Sequence, residues 1–164
     1  MWEIIGALLV GCVVSGVVPL VNAELLVVAA AVAVPPAALP LVVAASTVGQ
    51  MISKTLLFGL ARWAPTRLPD RATARLDRAV EAVRDRGGAA GSLMFVSALV
   101  GLPPFYGLSL AAGVLGMPLA LFLATGTAGR AVRFAALAWA AHFLGAGTAE
   151  MMAAGTLVDL LPGH

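Results

Sequence analysis

Charged side chains are scarce in most of this sequence. Asp, Glu, Lys and Arg make up 11% of its 164 residues, while hydrophobic residues make up 61%. A soluble domain has about 25% charged and about 45–50% apolar residues. The composition therefore argues against an ordinary soluble domain and predicts one integral membrane domain over residues 1–164. Apolar segments without strand patterning favour an all-α membrane fold, whose helices satisfy their own backbone in lipid.

Cysteine is also nearly absent, since Cys12 is the only one, and this excludes an intrachain disulfide. Leu9 to Cys12 match a lipoprotein-box pattern, but no Lys or Arg precedes them, which favours a small residue packed within a helix. The sequence lacks metal-ligand spacing, a nucleophile–base pattern and a phosphate-binding loop. We therefore expect no enzymatic activity, no cofactor and no metal ion.

Most of the charge lies in one segment. Residues 62–86 carry seven arginines and four acids, and apolar residues recur among them at helical spacing. Basic residues beside membrane spans mark the cytoplasmic side. We therefore predict a linker over residues 64–87, with a cytoplasmic amphipathic helix at 66–86. A topology-fixing surface helix is favoured over one lying on anionic headgroups, and no nucleic-acid binding is expected because the acids dilute the positive field.

The first half of the chain, residues 3–63, begins with an interrupted apolar run. Pro19 breaks it, and Asn22 then offers an N-cap to a helix with Glu24 in its first turn. Each arm is shorter than the about 20 residues that cross a bilayer. This predicts a re-entrant hairpin with its tip at 19–24, and two tilted spans with a proline kink are the alternative. Residues 36 to 63, by contrast, are long enough to cross.

The second half, residues 88–145, follows the same plan. Two short apolar arms flank Pro103 and Pro104, which form the predicted tip of a second hairpin. A long apolar helix then runs over residues 117–144, and a short tail follows at 146–164.

The two halves also share a pattern within their long helices. A glycine precedes basic residues in each: Gly49 before Lys54, and Gly129 before Arg130 and Arg133. Hairpins of broken helices in inverted repeats are a recurring transporter plan. Because the basic linker joins the halves on one side of the membrane, the second is expected to be inverted relative to the first.

Four ionisable residues are expected inside the membrane: Glu24, Lys54, Arg130 and Arg133. A purely structural cluster would balance its charges, so three cations against one carboxylate favour a cavity that receives an anion. Two arginines one turn apart suit a phosphate headgroup. Structural pairing combined with lipid-facing snorkelling is the alternative, and Glu24 is open to either pairing with Arg133 or carrying protons.

Three stretches resemble the DedA family (VTT domain) of membrane proteins, in particular its short, small-exporter-like branch. They are residues 19–26, 49–62 and 112–139, and the last is the most specific. The resemblance, over residues 5–145, implies two re-entrant hairpins in an inverted repeat within the plasma membrane. It further implies proton-coupled movement of lipids such as phospholipids or polyprenyl-phosphate carriers. By motif match, Glu24 takes the place of the family's acidic residue and Arg133 that of a basic residue.

The sequence departs from the family at the second hairpin. The family commonly carries arginines around the proline there, but residues 101–105 have none, and Arg130 is the candidate replacement. The predicted function is lipid transport, with Lys54, Arg130 and Arg133 binding phosphate headgroups and Glu24 coupling protons. A proton-coupled exporter of small amphiphiles and a non-transporting membrane scaffold are the alternatives. A homo-oligomer is left open.

The topology prediction is testable by cysteine labelling. Residues 66–86 should be cytoplasmic and both chain ends outside, because an odd number of full crossings lies on each side of the linker. In a C12S background, a membrane-impermeant thiol reagent applied to intact cells should modify G163C and leave A74C protected. Labelling of A74C with protection of G163C would contradict this topology.

Overall fold

All regular structure in the described part of the chain is helical, as predicted. The computed structural model describes residues 1–18, 21–63, 89–102 and 104–159, apart from the side chains of 89–90 and 146–159. The α-helices are α1 (Trp2–Val17), α2 (Ala23–Ala33), α3 (Leu39–Trp63), α4 (Ala89–Val100), α5 (Phe105–Val114) and α6 (Leu119–Asp159). A 3₁₀ turn at Pro36–Ala38 leads into α3. The predicted linker helix at 66–86, Pro19 and Pro103 lie outside the described residues.

The arms of both predicted hairpins are short helices. They have 16 and 11 residues in the first half and 12 and 10 in the second. Asn22 caps α2 as expected, since its Oδ1 accepts a hydrogen bond of 2.8 Å from the Glu24 backbone N–H. After α5, Gly116 adopts a φ of 67°, and the Met117 N–H bonds the Ala112 carbonyl, which closes the helix end.

The last helix is longer than the sequence predicted. We expected it to end near Leu144 and to be followed by a separate tail at 146–164, but α6 continues for 41 residues to Asp159. No proline occurs between Pro118 and Pro162. Isolated glycines cost a helix only about 1 kcal/mol each, so nothing in this stretch stops it.

The helices of the two halves pack in an exchanged arrangement. The first arm of each hairpin packs on the long helix of its own half, α1 on α3 and α4 on α6. The second arm packs mainly on the long helix of the other half, α2 on α6 and α5 on α3. Two apolar clusters result, one that includes residues of α1 and α2 and one that includes residues of α4 and α5. Each hairpin therefore bridges both long helices.

The glycine of each long helix makes the same kind of close contact with the first arm. A Cβ at Gly49 would lie 2.6 Å from the Leu9 carbonyl oxygen and 2.9 Å from the Cys12 Cβ. A Cβ at Gly129 would lie 2.7 Å both from the Phe95 carbonyl oxygen and from the Ala98 Cβ. Both helix pairs thus approach so closely that only glycine fits.

Polarity is distributed in an unusual way between interior and surface. The buried polar residues include Ser46, Thr47, Gln50, Ser53 and Lys54, all on α3. Large apolar side chains instead stand on the outside, and on α3 they recur every fourth residue at Val48, Ile52, Leu56 and Leu60. Within the described residues, one helix, Pro36–Trp63, is both long and apolar enough to cross a membrane.

Gly49→Ala is expected to lower the stability of the fold by about 1–3 kcal/mol, because the new methyl group meets α1 backbone that cannot move aside. Gly59→Ala is the matched control on α3, since a Cβ there meets nothing within 4 Å. Alanine is the better helix former, so the control should be neutral or slightly stabilising. Thermal unfolding of both purified variants in detergent provides the measurement, and equal melting temperatures would contradict the close contact.

Candidate anion-binding cavity

A cavity of about 380 Å³ lies where the broken ends of both hairpins meet the two long helices. Its wall includes the end of α1, the start of α2, the end of α4 and the start of α5. All four ionisable residues singled out from the sequence line it: Glu24, Lys54, Arg130 and Arg133. The chain brings these residues together from positions as far as 109 residues apart.

Arg133, on α6, contacts both hairpins: Glu24 at the start of α2 and Leu99 near the end of α4. Its Nε donates a 3.1 Å hydrogen bond to Glu24 Oε1, and its Nη2 contacts the same oxygen in a salt bridge. Its Nη1 donates to the Leu99 carbonyl at 2.7 Å. Leu99 is the second-last residue of α4, so its carbonyl lacks a partner within the helix. Of the two roles that the sequence left open for Glu24, the structure shows the pairing with Arg133.

Gly101 makes room for this arginine. Its φ is 88°, a left-handed conformation that suits glycine, and a Cβ there would lie 3.3 Å from Arg133 Nη1. Glycine at this position thus both ends α4 and admits the guanidinium.

Lys54 binds a carbonyl at the end of the first arm of the first half, as Arg133 does in the second half. Its Nζ donates a 2.8 Å hydrogen bond to the carbonyl of Gly16, the second-last residue of α1. The ammonium also lies 5.0 Å from the centroid of the Tyr106 ring on α5. A cation suits the negative end of a helix dipole, and these contacts explain how a lysine that is 4% exposed is tolerated.

Arg130 is held differently, by aromatic rings. Its guanidinium carbon lies 4.9 Å from the centroid of Phe105 and 5.9 Å from that of Phe134. Its Nε is buried without a hydrogen-bond partner among the described residues. A guanidinium between aromatic rings keeps its edge available for in-plane hydrogen bonds.

Neutral polar side chains complete the wall. Gln50 Nε2 donates to the Cys12 carbonyl at 3.1 Å and to Ser15 Oγ at 2.6 Å. Gln50, Ser15 and Tyr106 were not among the site residues predicted from the sequence. The position of Gln50 four residues before Lys54, on the same helix face, was the available clue.

The structure describes two of the four predicted hairpin-tip residues, and both line the cavity. Asn22 and Pro104 line the cavity, while Pro19 and Pro103 lie outside the described residues. His142 is not among the residues that line the cavity, and its Nδ1 lies 3.1 Å from the Ala31 carbonyl oxygen. No group of three metal-ligating side chains occurs within the part of the chain that the structure describes.

Comparison of the chain with family models, curated proteins and solved structures finds no significant match. The functional interpretation therefore depends on the geometry of the cavity and on the sequence.

Glu24→Gln is expected to destabilise the fold by about 1–2 kcal/mol, since it leaves Arg133 without its carboxylate. The loss should stay below the about 3–5 kcal/mol of a fully buried pair, because the Glu24 side chain is 40% exposed. Thermal unfolding in detergent tests this, with Glu3→Gln, an exposed site on α1, as the control. A Glu24→Gln protein as stable as the control would show that the pair does not support the fold.

Proposed function

We propose that this chain is a multi-pass plasma-membrane protein of the DedA type that moves anionic lipids across the bilayer. The cavity carries the proposal, because it gathers three cations and one carboxylate inside a helical bundle. Such a concentration of charge within apolar sequence is costly and marks a functional site by default.

The distribution of polarity supports a membrane location. Large apolar side chains are among the most exposed, as at Leu25 (68%), Leu60 (66%) and Leu144 (71%). Soluble monomers rarely expose extended apolar patches, whereas lipid tails accept such a surface. The four arms are too short to cross a bilayer alone, which suits re-entrant hairpins whose freed backbone groups face a polar cavity.

An inverted repeat accounts for the exchanged packing. Two halves related by a twofold axis would place each first arm on its own long helix and each second arm on the other, as described above. The shared contacts of Gly49 and Gly129 fit the same relation. In this topology the cavity lies between the repeats, where transporters of this plan bind their substrates.

The size of the cavity limits what part of a lipid enters it. About 380 Å³ is near the lower end of the roughly 300–1,000 Å³ found for small-molecule sites. This volume accommodates a headgroup, and the acyl chains would stay outside on the apolar surface. We propose that the headgroup crosses through the cavity while the chains remain in the bilayer.

A second candidate is a proton-coupled exporter of small amphiphiles. The second hairpin favours it, because Phe105 and Tyr106 give this part of the wall an aromatic surface, and residues 101–105 carry no arginine. Proton flux that depends on added amphiphile, without movement of lipid, would support this candidate.

Reconstitution tests the leading proposal. In vesicles holding a fluorescent phosphatidylglycerol, an anionic phospholipid, the wild-type protein should carry headgroups between leaflets well above the rate of protein-free vesicles. Lys54→Gln should slow this movement, because it removes one of the cavity's cations, whereas Glu3→Gln, with its exposed side chain on α1, should not. Lipid movement no faster than in protein-free vesicles would remove the proposal.

Proton coupling is a separate part of the proposal and needs its own measurement. A pH gradient across the same vesicles should change the rate of lipid movement if Glu24 exchanges protons during the cycle. An unchanged rate would contradict coupling and leave lipid movement itself unaffected.

A further inference from the structure

The three cations of the cavity differ in how far their charge is already compensated. Arg133 is engaged at Nε and Nη2 by Glu24 and at Nη1 by the Leu99 carbonyl. The pair of Arg133 and Glu24 is neutral as a unit. Arg133 therefore positions the hairpins relative to α6 and adds little net charge for a ligand.

Lys54 is also committed to the protein. Its ammonium donates to the Gly16 carbonyl and lies against the ring of Tyr106, so part of its hydrogen-bonding capacity is used. These partners are neutral, so the positive charge of Lys54 persists in the cavity.

Arg130 is the cation with the least compensation. The one salt bridge among the described residues joins Arg133 to Glu24, which leaves Arg130 with no described carboxylate partner. Phe105 and Phe134 lie close to its guanidinium and hold the group in place. A guanidinium fixed in this way binds oxyanions through its edge, often with two parallel hydrogen bonds.

The described wall of the cavity offers a positively charged headgroup no carboxylate that is not already paired with a cation. Glu24 is the only acidic residue among the described residues that line it, and its Oε1 is bound by Arg133. A choline or ethanolamine ammonium would therefore meet Lys54 and Arg130 without a free carboxylate to receive it. Like charges at short range are repulsive in a medium of low dielectric.

We propose that Arg130 selects the ligand of this cavity, a lipid headgroup with a net negative charge, in preference to a zwitterionic headgroup. This inference rests on the function proposed above, to which it adds the residue that sets the preference for anionic headgroups. It concerns binding, so it is testable without transport.

Two short-chain lipids with the same acyl chains provide the test. Purified full-length protein in detergent is titrated calorimetrically with dihexanoyl phosphatidylglycerol and with dihexanoyl phosphatidylcholine. The wild type should bind the anionic lipid more tightly. Arg130→Gln should weaken that binding about ten- to a hundredfold, the strength of a charge-assisted hydrogen bond, and should abolish the preference between the lipids.

Arg62→Gln is the matched control. It removes the same charge from the exposed end of α3, where Arg62 donates to the Met117 carbonyl outside the cavity, and it should keep the preference. Arg130→Lys keeps the charge but lacks the planar guanidinium that donates two parallel hydrogen bonds. Its affinity for the anionic lipid should lie between those of the wild type and Arg130→Gln. Melting temperatures of all variants confirm that they are folded.

The outcomes separate this inference from the proposed function. Equal wild-type affinity for the two lipids, binding of neither, or a preference that survives in folded Arg130→Gln would overturn the role of Arg130. If Arg130→Gln does not fold, the wild-type comparison together with Arg130→Lys decides. A binding preference that persists while labelled lipid fails to cross vesicles would overturn lipid transport and leave the selectivity standing.

Discussion

The structure depends on how backbone carbonyls are satisfied where its helices break. Each first arm ends at the cavity, and its last carbonyls have no partner within the helix. A cation from a long helix meets one of them in each half, Lys54 at Gly16 and Arg133 at Leu99. Without these contacts, each first arm would leave a carbonyl that no protein group satisfies, and a buried unpaired polar group costs about 1–3 kcal/mol.

The same solution creates the cavity and its charge. Because the stabilising cations come from α3 and α6, both long helices must pass close to the hairpin breaks, and glycines at 49 and 129 permit that approach. The ends of the broken helices and the cations that bind their carbonyls therefore line the same cavity. Arg130 lies beside them without a described carboxylate partner, so the described lining of the cavity carries three cations and one carboxylate.

Much of the fold was predictable from the sequence because helix breaks have strong local causes. Proline and glycine predicted the ends of the short arms, and the Asn22 cap was confirmed. The predicted end of the last helix, near Leu144, was wrong, because glycine weakens a helix without ending it. The site was predictable in part, since ionisable residues in apolar helices are few. Gln50, Ser15 and Tyr106 carried no comparable pattern, because neutral polar residues also occur in packed helices.

The sequence by itself determined that the chain is helical, where its short arms lie and which charged residues stand in apolar surroundings. These properties follow from local chemistry: backbone restriction at proline and glycine, and the solvation cost of charge. Only the tertiary structure decided that the second arm of each hairpin packs on the long helix of the other half. It also decided that Arg133 pairs with Glu24 and that Arg130 lies against Phe105 and Phe134. Those outcomes depend on contacts between residues far apart in the chain, which spacing alone does not specify.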